Sequence, residues 1–123
     1  MIAKLKSPLI DVGSSSEIRR YIHAFGSWRD MVVLAIHLSD EGVFLWFDSA
    51  SSVIPVPLRL LDITDGTLSR LWVATSTDHG VLIAPPDLAI ASFEVDAADR
   101  DSTAQQQYAK TRDMLFSEQG QIP

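Results

Sequence analysis

The chain has no cysteine, which excludes disulfide cross-links, thiolate metal centres and cysteine nucleophiles. It has no apolar run near the ~20 residues that a membrane-crossing helix needs. At the N-terminus Lys4 and Lys6 interrupt a short apolar stretch that ends at Pro8 and Asp11, so the hydrophobic region of about 7–15 residues expected of a secretion signal is missing and a cytoplasmic address is expected. Lysine and arginine are absent from two long segments, 30–58 and 71–99. Also missing are the glycine-rich phosphate loops and the G-x-S-x-G nucleophile elbow, which removes the usual markers of nucleotide-binding proteins and serine hydrolases.

What is present is the composition of one globular domain spanning residues 1–123: 46% hydrophobic and 21% charged residues, with 6 each of glycine and proline. The net charge of −6 is unevenly spread. Residues 1–29 hold five basic side chains against two acidic ones, a balance of +3, whereas the rest holds five basic against fourteen acidic, a balance of −9. The two segments without Lys or Arg carry Asp30, Asp40, Glu41, Asp48, Asp78, Asp87, Glu94, Asp96 and Asp99. Such a field repels phosphate backbones and disfavours nucleic acid, while it attracts a basic protein and speeds its encounter.

Local patterns predict an α+β fold: an N-terminal helix, about five or six mostly antiparallel strands in a meander-like order, and a C-terminal amphipathic helix. Ser14 and Glu17 have capping-box spacing, Ile18, Tyr21, Ile22 and Phe25 share one helical face, and Gly26 suits a helix stop. Residues 31–38 and 43–48 are rich in β-branched and aromatic types and flank Ser39-Asp40-Glu41-Gly42, which predicts a hairpin pairing Leu38 with Val43. One face of that hairpin reads as wholly apolar (Val32, Leu34, Ile36, Leu38, Val43, Leu45, Phe47) and is expected to be core. The other mixes Met31, Val33, Ala35, His37, Phe44, Trp46 and Asp48, and is either half-covered by a helix or offered to a partner.

Pro55 and Pro57 alternate, so their missing donors lie on one side and mark an edge strand. Asp65-Gly66 predicts a second hairpin, pairing Leu60 with Leu71 and Leu58 with Val73, with a short helix over 58–63 as the alternative. Thr77-Asp78-His79-Gly80 predicts a further turn before a strand at 81–84. After Pro85-Pro86, residues 88–95 read as helix or strand, with strand favoured for 90–95. The last helix is expected over 102–118, with Ser102 and Gln105 at capping-box spacing and Ala104, Tyr108, Thr111 and Leu115 on one face.

The three histidines, His23, His37 and His79, are not spaced as metal ligands, and neither a metal nor a cofactor is expected. His37 lies across from Phe44 and beside Trp46, where aromatic walls can lower its pKa and hold it as a base, but it reads better as a half-buried strand residue near a turn. Gly13-Ser14-Ser15-Ser16, with Arg19, Arg20 and His23 one turn on, offers a phosphate cradle, but without a P-loop lysine it reads better as a serine cap with a solvated basic face. No catalytic set is identified, and an enzyme is not the favoured reading.

In general character, a small, acidic, cysteine-free α+β chain without a catalytic signature resembles toxin-neutralising immunity proteins and the acidic export chaperones of bacteria. This composition leads to the expectation of a module that inhibits or shields a more basic protein, with Asp40, Glu41, Phe44, Trp46 and Asp48 as its binding residues. A small-molecule site or modest enzyme around His37, Trp46 and Asp48 is the alternative, and a homodimeric structural domain a second one, suggested by the positive mean hydropathy and the proline-marked edge.

Overall fold

The computed structural model describes residues 1–6, 21, 29–49, 52–88 and 102–120. Among them the protein is mostly β. The strands are β1 (Ile2–Leu5), β2 (Met31–Val32), β3 (Ala35–Ser39), β4 (Gly42–Ser49), β5 (Ser52–Pro57), β6 (Leu61–Asp65), β7 (Val73–Thr77) and β8 (Gly80–Ala84), followed by helix α1 (Ser102–Glu118). They form two sheets, a three-stranded one in the order β2-β1-β6 and a five-stranded one in the order β5-β4-β3-β8-β7. Every pairing is antiparallel.

This corrects the expected α+β fold of one helix, a single meander of five or six strands and a second helix. The described residues form eight strands in two sheets with one helix. The expected N-terminal helix and the Gly13-Ser16 cradle with Arg19, Arg20 and His23 fall outside the described residues. Tyr21 is described from that stretch and is buried in the core. Residues 90–95, expected as a strand, also lie outside; Pro86–Leu88 before them is a single 3-10 turn.

The added sheet owes its existence to β1. Ala3 and Leu5 are fully buried and alternate with Lys4 and Lys6, the period of a strand with one wet face. β1 is the central strand, with Leu5 opposite Leu61 and Ala3 opposite both Ile63 and Met31. β6 therefore pairs with β1 and not, as the Asp65-Gly66 signal predicted, with residues 71–73. A two-residue type I′ hairpin needs positive φ at its glycine, and Gly66 is not among the positive-φ glycines. Instead an Asp65 carboxylate oxygen accepts the Thr67 N–H at 2.9 Å, which bends the chain into a loop. These hydrogen bonds from Thr67 also hold the Asp65 carboxyl below the usual carboxylate range. Residues 58–63 are neither wholly helix nor wholly strand: a 3-10 turn at Leu58–Leu60 passes the chain from β5 in one sheet to β6 in the other.

The β3–β4 hairpin has the predicted register, Leu38 opposite Val43 and His37 opposite Phe44. Its two faces serve two cores. Leu45 and Phe47 point into a core shared with Ala3, Leu5, Val56, Leu60 and Tyr21, between the two sheets. Trp46, Ala35, Leu82 and Ala84 form the other, beneath Tyr108 and Leu115 of α1. Strict alternation fails at one point: Met31, Val33 and Ile36 belong to the first core, while Val32, Leu34 and Ala35 belong to the second. The side-chain parity slips by one residue where the chain leaves β2 for β3, so the face expected to be wholly core is divided between two cores, and its far end is not core: Leu38 is exposed and Val43 belongs to neither cluster.

Gly80 is required by sterics as well as by conformation. At φ +149° a Cβ there would lie 1.9 Å from the Leu38 carbonyl oxygen of the neighbouring strand, whereas Gly42, at φ +124°, has nothing within 4 Å. Gly80→Ala is therefore expected to cost about 3 kcal/mol or more and Gly42→Ala only about 1–2 kcal/mol. Urea denaturation of the two variants checks this, and equal losses would contradict the close approach.

Candidate functional site

The two hairpin turns of the five-stranded sheet lie side by side. β3 and β8 are neighbours, with Ser39 opposite Gly80, so the Asp40-Glu41 and Asp78-His79 turns emerge from the same end. The Asp40 N–H donates to the His79 carbonyl across the gap at 3.2 Å. Each turn is also braced from within. The Ser39 hydroxyl donates to the Gly42 carbonyl at 3.1 Å and accepts the Glu41 N–H at 3.3 Å, and the His79 N–H donates to the Thr77 hydroxyl at 3.3 Å. Asp40, Glu41 and Asp78 are all exposed, and the five strands behind them contain no Lys or Arg. Three carboxylates thus project from a braced end, two of them 37 or more positions from the third in sequence.

Beside this end is an open groove of about 530 Å³ whose lining includes Phe44, Pro57, Leu58 and Leu61 together with one acidic side chain, Glu41, and two basic ones, Lys6 and Arg59. Phe44 is half-buried and reaches it. The groove forms where the start of β4, the end of β5 and the 3-10 turn converge. Of the five residues expected to bind a partner, Asp40, Glu41 and Phe44 are therefore together at one end. Asp78, which the sequence does not associate with them, joins through the β3–β8 pairing.

Trp46 and Asp48 have other partners. Trp46 is only 7% exposed, roofed by the helix-side core. Asp48 Oδ1 accepts the Tyr108 hydroxyl at 2.5 Å and lies 3.6 Å from Arg112 Nη1. The Arg112 guanidinium is also 5.8 Å from the centre of the Tyr108 ring and reaches Asp113 through Nε at 3.2 Å. Burial, then the hydrogen bond to Asp48 and its negative charge, push the Tyr108 hydroxyl far above its ordinary value, with Arg112 acting the other way. The phenol stays protonated and donates. A second polar tie follows one helical turn on, from the Thr111 hydroxyl to Asp87 at 3.3 Å. Asp48 thus anchors α1 to β4, and Asp87 ties it to the 3-10 turn at Pro86–Leu88.

The alternative trio of His37, Trp46 and Asp48 does not converge. His37 meets Trp46 edge-on, with ring centres 6.3 Å apart and planes at 76°. Its strand partner is Phe44, four residues from Asp48 along β4, which corresponds to roughly 13 Å at strand rise. Among the described residues no group of three or more His, Cys, Asp or Glu side chains could hold a metal ion. No described helix is long and apolar enough to cross a membrane. Comparison of the chain with protein-family models, with curated proteins and with solved structures found no match.

Tyr108→Phe removes the donor and leaves Asp48 with Arg112 alone, with an expected loss of about 1.5–3 kcal/mol in chemical denaturation. The pH dependence has a defined sign. Because the folded-state value of Tyr108 is raised, its contribution is complete below the unfolded value and declines once pH rises beyond about 10, where the unfolded phenol ionises. The wild type is expected to lose stability above that pH more steeply than Tyr108→Phe; parallel profiles would contradict the assignment.

Proposed function

We propose that this chain is a cytoplasmic protein-binding module that docks a more basic protein on the acidic end of its five-stranded sheet, inhibiting or shielding it. The observation that carries this reading is the juxtaposition of the Asp40-Glu41 and Asp78-His79 turns, cross-linked by the Asp40–His79 backbone bond. Three carboxylates at one end, backed by strands without positive charge, form the kind of field that steers a basic surface into register. The adjoining groove at Phe44, Pro57, Leu58 and Leu61 suits an apolar side chain of the same partner, so charge guides encounter and apolar burial supplies residence time. Trp46 has no part in this docking surface. Asp48 serves it indirectly, by holding the helix that supports the opposite face.

The test compares two variants of equal net charge: D40N/E41Q/D78N at the docking end, and D30N/D62N/D113N among exposed carboxylates elsewhere. A basic protein captured from the native cell by the wild type, then purified, is expected to associate about tenfold or more slowly with the first variant at low salt and nearly normally with the second. Equal association of both variants, or no stoichiometric basic protein retained by the wild type, overturns the reading.

A further inference from the structure

A β-sheet edge carries unpaired backbone donors and acceptors, and natural proteins blunt such edges with proline, charge or brevity. Among the described residues the two sheets have four edges. β5 contains Pro55 and Pro57, β2 is two residues long, and β6 carries Asp62 and Asp65. β7, Val73-Ala74-Thr75-Ser76-Thr77, has no proline, no charge and no length limit of that kind. It pairs only with β8 among the described residues. Four of its five residues are exposed, Val73 to 45%.

The register states which groups are available. A two-residue hairpin closes on a hydrogen-bonded pair; here that pair is Thr77 and Gly80. Thr77, Thr75 and Val73 therefore direct their backbone groups at β8, and Ala74 and Ser76 direct theirs outward. Two outward residues flanking a central threonine suit a two-fold axis. With Thr75 opposite its own copy, Ala74 of each chain exchanges hydrogen bonds with Ser76 of the other, and Val73 faces Thr77.

Charge selects the same arrangement. At the two ends of β7 the nearest charged residues are Arg70 and Asp78, and an antiparallel two-fold pairing brings each to the other's counterpart in the second copy. The Arg70 side chain is 91% exposed, held only by a marginal 3.9 Å approach to Glu118 while its backbone N–H donates to the same carboxylate. Leu68, 58% exposed, lies in the loop before β7, and Met114, 47% exposed, lines a groove with Arg70 and Leu71.

We infer that two copies of this chain associate through β7, joining their five-stranded sheets into one ten-stranded sheet around a two-fold axis at Thr75. The pairing leaves Asp40 and Glu41 free at the two far ends and engages Asp78, which the docking end also uses, so the Ser76 and Ala74 variants, which leave all three carboxylates in place, separate the two proposals.

Sedimentation velocity from about 1 to about 200 µM at physiological ionic strength reads the association. The wild type is expected to reach twice its 13.6 kDa mass. Ser76→Lys sets two like charges near the axis, and Ala74→Pro removes an outward donor without touching the bonds to β8. Each is expected to raise the dissociation constant on the order of tenfold or more while leaving the thermal midpoint close to that of the wild type. Arg70→Asp weakens association, and R70D/D78R restores it. A wild type that stays monomeric throughout overturns the proposal, including the case in which it binds an extended peptide of another protein on this edge. So does a dimer that survives both Ser76→Lys and Ala74→Pro.

Discussion

Residues 31–36 bind the two sheets together, and much of the molecule depends on how they do it. The Val33 N–H donates to the Met1 carbonyl beside the three-stranded sheet, and the Leu34 N–H donates to the Trp46 carbonyl in the five-stranded one, at 3.0 and 2.8 Å. Two successive amides are satisfied on opposite sides, so no buried donor is stranded as the chain changes sheets. The slip in side-chain parity between Leu34 and Ala35 follows from that crossing. It lets a continuous apolar run feed the inter-sheet core through Met31 and Val33 and the helix-side core through Val32, Leu34 and Ala35. The 3-10 turn at Leu58–Leu60 makes a second crossing in the opposite sense, from β5 in the five-stranded sheet back to β6, and accepts the Lys6 N–H at Leu60.

A five-stranded sheet with core on both faces has only its ends and edges left for recognition. This is why Trp46, which has the character of an interface anchor, is occupied internally, and why Asp48 is a fastening point for α1. A charge-assisted hydrogen bond from a buried phenol to a carboxylate, with an arginine alongside, fixes the helix at one place on the sheet. Among the described residues, two surface features stand out at this sheet: the paired turn tips at one end, and β7 at one edge, which carries neither proline nor charge. One presents carboxylates and the other outward-facing backbone groups, so the two proposals made for them rest on different chemistry.

Much of the local architecture was legible in the sequence. Ser39-Asp40-Glu41-Gly42 between two β-branched runs specified the β3–β4 register because a two-residue connection leaves little freedom for slippage. The alternating prolines marked β5 as an edge, and of the expected helix face Tyr108, Thr111 and Leu115 are buried, Ala104 lying outside the described side chains. Strand β1 was present as alternation in Ala3-Lys4-Leu5-Lys6, a signal too short to be told from a ragged terminus without its neighbours. Asp65-Gly66 misled because the dipeptide permits a hairpin turn without requiring one, and Ala3 and Leu5 supplied β6 with a better-buried partner.

The sequence by itself determined turns, strand edges, the helix face and the segregation of charge, all of which depend on residues within about one turn or one hairpin of each other. Only the tertiary structure decided that β1 joins β6, that Asp78 comes to stand beside Asp40 and Glu41, and that Asp48 meets Tyr108. These contacts link residues tens of positions apart, and such pairings are chosen by competition among whole surfaces for burial and hydrogen-bond partners, which leaves no mark in the local pattern of either member.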